Sequence, residues 1–420
     1  MTISRRRMLS GVALAGSAAG AGMTSASAGT APASARLDVE QDFGGGWDGV
    51  RAAITEAERS GGSSAVVVLG RADYAADSTI DITRPISIVG EGRASRIRHA
   101  GTFAGPVLRA TDLKRHGQWE STVGTGPIQT YDPEADGGGL TLRDFVVIDD
   151  DRSVAARDGI YLLDADDVLM DNVMFGFLTG TALTLGADDA DARAPGVASG
   201  RVRESDFRRI RVYRCGSGSP SGSPDVPAMV LQNGNDAGDG SNQNYFHQLR
   251  FVYNEGRMLL RGPGNDGNSL RRTIFRDMQL HALADNDNWN PVQYFPFDLV
   301  TLEGAVRETF VDGLMVNGNR AGTACFAMKG HTLNAEIPRR LVIRNANVVN
   351  VHGDFVRVDR GDSVSIDGTG LGSVAGEILR ASEASGLDRY YVHEMGINNP
   401  AGKVTAPGAT GTVLFSGIRV

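Results

Sequence analysis

Apolar and polar positions along this chain repeat in a fixed frame. Within Met258–Leu280 two short apolar runs stand apart, and the second has the form apolar, x, x, apolar, x, apolar at Phe275, Met278 and Leu280. The same frame fits Leu142/Phe145/Val147, Met170/Val173/Phe175, Phe207/Ile210/Val212, Phe246/Leu249/Phe251, Val311/Leu314/Val316 and Ile343/Ala346/Val348, with Ile366/Thr369/Leu371 as a weaker copy. The first run, at Leu259 and Arg261, recurs at Tyr161/Leu163, Leu183/Leu185, Met229/Leu231, Val300/Leu302, Phe326/Met328, Val356/Val358 and Leu379/Ala381. Short strands repeating every 22 to 40 residues or so predict a stacked solenoid in which each coil packs only on its neighbours.

A solenoid lengthens by adding coils, so 420 residues are consistent with a single domain over residues 46–420. Glycine is abundant, at 55 residues, and aromatics make up only 6%, which suits many short strands and tight turns better than a helical bundle. The net charge of −8 argues against a nucleic-acid partner, which needs a basic face. Cys215 and Cys325 lie about four coils apart, on the order of 19 Å at roughly 4.8 Å per coil. A disulfide needs Cα atoms within about 7 Å, so both read as unpaired core residues.

Residues 1–28 have the three parts of an export signal: Arg5-Arg6-Arg7, a weakly apolar Ala/Gly run, and Ala26-Ser27-Ala28 as a small-residue cleavage site. The arginines before the apolar run resemble a twin-arginine signal, which predicts a secreted or periplasmic mature protein. The run is too short and Gly-rich to span a bilayer stably, so no membrane span is expected after cleavage. Residues 29–45 read as a linker. Trp47–Arg59 carries apolar residues at helical spacing and stops at Gly61-Gly62, which predicts a short helix capping the open end of the coil. Past Ser385 the frame fades, and residues from about 388 to 420 are expected to form a C-terminal cap or an oligomer contact, for which a trimer is one arrangement.

The opening order is a helix, then Ala65–Gly70 (AVVVLG), Tyr74, Ser78–Ile82 (STIDI) and Ile86–Gly92 (ISIVGEG). This order, followed by the repeat over residues 140–385, resembles the pectate-lyase-like right-handed parallel β-helix superfamily. The resemblance implies an all-β right-handed parallel β-helix. It also implies an exported protein that acts on a polysaccharide as a lyase, glycoside hydrolase or epimerase, or binds one as a tailspike or adhesin does. The polygalacturonase blocks, an Asn-Thr-Asp, an Asp-Asp and a Gly-His-Gly in register, are not reproduced, since Asp166-Asp167 stands without the others.

Strand alternation assigns faces. Leu163, Leu185, Leu231, Leu302, Met328 and Val358 form an inward column broken by Arg261. An outward column runs Leu162, Thr184, Val230, Leu260, Thr301, Ala327, Arg357 and Arg380, and a second runs Asp164, Gly186, Gln232, Gly262, Glu303, Lys329, Asp359 and Ser382. Glu303, Lys329 and Asp359 then sit on successive coils roughly 5 Å apart, where opposite charges pair. Two readings follow. One is a catalytic row in which Lys329 or His281 abstracts the acidic C5 proton of a uronate and Arg357 and Arg320 neutralise its carboxylate. The other is a surface salt-bridge ladder. Gly262, the smallest residue of its column, would leave room for a sugar beside Glu303 and Lys329.

The longest corner, residues 281–298, carries His281, Asp285, Asp287, Trp289 and Tyr294, a mixture suited to the apolar faces and hydroxyls of sugars or, equally, to a loop packed on the coil. Asp236 and Glu255 on one coil are an alternative acid/base pair, which with Asp287 and Glu303 would serve a glycoside hydrolase or transglycosylase. Carboxylates also cluster at Asp166-Asp167, Asp188-Asp189, Asn235-Asp236 and Asn265-Asp266. They suit Ca²⁺, although no spacing matches a defined calcium loop and Asx residues are ordinary turn formers. No other cofactor motif is present: the chain has no metal-type His/Cys spacing, Walker loop, G-x-S-x-G or dinucleotide fingerprint.

Overall fold

The computed structural model describes residues 35–60, 65–111, 113, 139–187, 200–216, 226–233, 241–262, 269–282, 297–331, 335–394 and 403–415. They form a right-handed parallel β-helix, the hand that right-twisted strands impose on parallel crossovers. An 11-stranded sheet of short strands runs from Ile80–Ile82 to Val404–Thr405. The long strands, such as Leu270–His281, Val306–Asn319 and Arg339–Val351, belong to a 17-stranded sheet, and the pairings in both sheets are parallel.

The repeated frame has a backbone cause. Asp144, Asn172, Arg209, Gln248, Asp277, Gly313 and Asn345 all adopt left-handed φ, between 53° and 74°, and each stands directly before the middle apolar residue of its frame. One left-handed residue turns the strand through a corner and resets the inward–outward alternation, so two outward positions separate the flanking apolar residues. A second left-handed column, Asp167, Glu204, Gln243, Arg272, Glu308 and Arg340, makes another corner. The eighth copy is shorter by a residue: Ile343 pairs with Ile366 but Ala346 with Gly368, so Thr369 lies opposite Asn347 and not in the inward column.

Inside, identical positions stack. Phe207 and Phe246 lie 4.7 Å apart at 13°, and Phe246 and Phe275 4.9 Å apart at 22°. All three rings are buried. Cys215 and Cys325 are buried free thiols, and burial pushes the Cys215 thiol up to about 12.

Register corrects the column assignment in two places. Leu162, not Leu163, pairs with Leu185, and Leu260, not Arg261, stands between Leu231 and Leu302. The inward column is therefore unbroken: Leu162, Leu185, Leu231, Leu260, Leu302, Met328, Val358 and Ala381. Arg261 belongs to the outward column between Gln232 and Glu303, and Gly262 pairs with Gly304. The one-residue slip arose because Leu259-Leu260 and Leu162-Leu163 are apolar on both faces, which removes the alternation that would fix the phase.

The ends also differ from expectation. Arg36–Asp38, inside the stretch read as a linker, pairs with Val66–Val68, and α1 (Val39–Asp42) follows it. Helix α2 (Gly46–Arg59) buries Trp47, Val50, Ala53, Ile54 and Ala57 in the hydrophobic core shared with the first coils. The Trp47 indole N–H donates to the Ser78 carbonyl at 2.9 Å. At the other end Arg389–Glu394 and Thr410–Phe415 continue the long sheet, and Val404–Thr405 adds to the short one, so coils persist where the frame had faded. Residues 1–28 lie outside the described residues. No helix among the described residues is long and apolar enough to cross a membrane.

Candidate functional site

The outer face of the short-stranded sheet carries the densest set of charges predicted to act. Arg261, Glu303 and Lys329 follow one another in a single column, and Arg357 then Arg380 occupy the neighbouring column beyond Ala327. Parallel pairing stacks equivalent residues on consecutive coils about 4.8 Å apart. This is why residues far apart in sequence meet here.

The charges are organised by a residue that the columns did not single out. Asp298, 3% exposed, closes the long corner just before the strand Val300–Gly304. One of its carboxylate oxygens accepts the Ala324 N–H at 2.8 Å; the other meets Lys329 Nζ at 3.0 Å and Arg357 Nη2 at 2.9 Å. Lys329 therefore pairs with Asp298 rather than with Glu303 or Asp359. Arg357 Nε also meets Asp359 Oδ1 at 3.1 Å, Glu303 Oε1 lies 3.4 Å from Arg261 Nη2, and Arg380 Nε lies 3.1 Å from Asp354 Oδ2.

These pairs are layered. The side chains of Arg261, Lys329 and Arg357 are 32%, 31% and 23% exposed, whereas their partners Glu303 and Asp298 are 13% and 4% exposed. The carboxylates lie beneath and the cations reach outward, with Asp359 as the exposed exception. Between them the floor is closed: Thr301 and Ala327 are fully buried although they stand in an outward column.

The other predicted residues are dispersed. His281 ends a strand of the long sheet, opposite Val252 and Asn317, with its ring 6.5 Å from Tyr253. Burial, reinforced by the Arg250 charge, pushes its imidazole below the usual range. Glu255 is held bidentately by Arg152 through both guanidinium Nη atoms, one contact at 2.7 Å. Arg320 is exposed at the corner after Asn319, where its carbonyl accepts from Thr323. Asp236, Asp285, Asp287, Trp289 and Tyr294 lie outside the described residues. Of the acidic clusters, Asp166 pairs with Arg203 at 3.2 Å, and among the described residues no group of three or more His, Cys, Asp or Glu is placed to hold a metal ion.

Three further ionisable groups are structural. His99, 4% exposed, donates from Nε2 to the Asp158 carbonyl at 2.8 Å, and desolvation pushes its imidazole down to about 4. The Arg157 guanidinium and the Asp149 carboxylate form a fully buried pair, in which burial outweighs the attraction of Arg157 and raises the carboxyl.

No family model matches the chain, and no curated protein matches it. Solved structures do. The A-module of the mannuronan C-5 epimerase AlgE4 of Azotobacter vinelandii superposes with a TM-score of 0.53 at 12% identity, covering 90% of this chain and 94% of that one. An alginate lyase from Paenibacillus sp. str. FPU-7 gives 0.46 at 11%, over 84% and 97%. ORF18 of Geobacillus virus E2 gives 0.44 at 14%, covering 82% of this chain, which spans only 60% of that one. With the parallel topology above, the likeness to the epimerase module shows the right-handed parallel β-helix fold.

Proposed function

We propose that this protein binds a uronate-containing polysaccharide across the outer face of the short-stranded sheet and cleaves it by β-elimination. The observation that carries the reading is the layering of charge: cations outermost on consecutive coils, carboxylates buried beneath them. Such a surface favours a polymer bearing one carboxylate per sugar. The likeness to a mannuronan C-5 epimerase adds chemical support, because epimerisation at C5 and β-elimination both begin by breaking the C5–H bond.

In the proposed reaction Arg357 faces the uronate carboxylate and offsets the charge that builds on it as the C5 proton leaves. Glu303, the carboxylate adjacent to Lys329 in register, is the group that takes the proton. The electron pair of the C5–H bond forms the C4–C5 double bond, the C4–O bond breaks, and the departing sugar oxygen takes a proton from the Lys329 ammonium. Export by the Arg5-Arg6-Arg7 segment belongs to the same proposal, and loss of export on changing these arginines to lysine tests it.

The enzyme is tested on a panel of polyuronates and neutral glycans, with the ultraviolet absorbance of the C4–C5 double bond as readout. Absorbance from polyuronates alone, abolished in Lys329→Ala, is the expected result. Shorter chains without that absorbance mean hydrolysis, altered uronate composition without shortening means epimerisation, and binding without change means a non-catalytic glycan receptor. Each of these overturns the elimination.

A further inference from the structure

A second feature lies on the other sheet. A cleft of about 220 Å³ opens on the long-stranded sheet, lined by Arg93, Arg211 and Arg250, with Asn172 and Gln248 beside them and Val146 and Met174 among its apolar wall. Arg211 and Arg250 are register partners on adjacent coils, in the same column as Met174 and Val146, and Arg93 comes from the short 3-10 helix Gly92–Ala94.

None of these three arginines has an acidic partner among the described residues. The nearby carboxylates are engaged by other residues: Asp171 holds Arg209, a fourth arginine of the cleft lining, at 2.6 Å, and Asp144 accepts from Asn172 at 2.7 Å and pairs with Arg143 at 3.2 Å. Three guanidiniums converging without a counter-charge repel one another, and the coil does not require them: of the equivalent column positions in other coils, Val146, Met174, Gln279, Met315 and Asn347 are uncharged, and the one arginine, Arg96, is neutralised by Asp73 at 2.5 Å. Desolvation, together with the charges of Arg250 and Arg93, accordingly disfavours the charged form of Arg211.

We propose that this cleft is a binding site for an acidic sugar unit, its anionic group held by Arg93, Arg211 and Arg250 and its ring lying on Val146 and Met174. Arginine suits carboxylate, sulfate ester and phosphate ester alike, because each offers two or more oxygens to the planar guanidinium. The volume exceeds that of a bare oxoanion, and the apolar wall together with Asn172 and Gln248 provides for ring carbons and hydroxyls. The site does not depend on what the short-stranded sheet does. On a polymer it would hold the chain away from any cleavage point.

The test compares the full-length mature protein with Arg211→Gln/Arg250→Gln by thermal unfolding and titration calorimetry. Without ligand, the double variant should melt higher than wild type, because the repulsion is relieved. Oligogalacturonate, a sulfated oligosaccharide of the same length and sodium phosphate are compared with a neutral oligosaccharide at constant ionic strength. The expected result is wild-type binding of at least one acidic saccharide, weakened tenfold or more in Arg211→Gln/Arg250→Gln. The preferred oligosaccharide tells carboxylate from sulfate. Binding of phosphate alone, equal binding by both proteins, or no binding of any acidic saccharide would each overturn the proposal. Elimination activity is not read, so failure here and failure of the elimination reading are separate results.

Discussion

Asp298 is the residue on which the charged face depends, and its replacement separates two contributions. Asp298→Ala removes the acceptor of a buried Ala324 N–H, a loss of about 1–3 kcal/mol. It also leaves Lys329 and Arg357, whose contact atoms both lay within about 3 Å of one oxygen, to repel each other. At 5 Å and an effective dielectric between 20 and 80 that repulsion is roughly 1–3 kcal/mol, and it falls at the low end because both side chains are partly hydrated. The expected destabilisation is about 3 kcal/mol for Asp298→Ala. Asp298→Asn keeps an oxygen for Ala324 and should cost about half as much. The cations should behave non-additively. Either Lys329→Met or Arg357→Met leaves Asp298 one partner, whereas the double variant strands a buried carboxylate and should cost more than the two singles together. Guanidinium chloride would mask the ionic part, so urea unfolding at low and high salt is the assay. Equal effects of Asp298→Ala and Asp298→Asn, or additivity of the two cation variants, would refute the assignment of Asp298 as their common anchor.

Three other outcomes check the fold. Because the His99 imidazole titrates near 4 in the folded chain and near 6.5 when unfolded, its contribution is present above pH 6.5 and is lost as pH falls toward 4, by about 3 kcal/mol in total. Stability measured against pH should therefore be flatter in His99→Gln over that window, and an unchanged slope contradicts the burial argument. Phe246→Ala opens a gap between two stacked rings that the flanking sheets hold apart; a loss of about 4 kcal/mol is expected in chemical unfolding, with Phe246→Leu near half of it, and a loss under about 1 kcal/mol would mean the ladder collapses freely. At the exposed corner residue Glu204, with φ of 51°, Glu204→Gly should raise stability by up to about 1 kcal/mol and Glu204→Val lower it by a similar amount; the reverse order of melting temperatures would exclude backbone strain as the cause.

The sequence alone determined the coil, its repeat and most of its inward residues, because a parallel solenoid reuses one short-range pattern on every coil. The spacing apolar, x, x, apolar reports a left-handed corner directly, so Phe246, Phe275 and their equivalents were legible without coordinates. Local pattern failed where it was degenerate: Leu162-Leu163 and Leu259-Leu260 gave no phase, and only pairing along the sheet assigned Arg261 to the outer face. Glu303, Lys329 and Arg357 were readable as neighbours because register, once set, carries backbone positions up the stack. Their partners were not. Long flexible side chains reach across columns, so whether Lys329 meets Glu303, Asp359 or Asp298 is decided by where a corner delivers a buried carboxylate, and no periodicity encodes that. The arginine cleft has the same origin: Arg93, Arg211 and Arg250 come from three coils with no common motif, and their convergence without a counter-charge exists only in the folded stack.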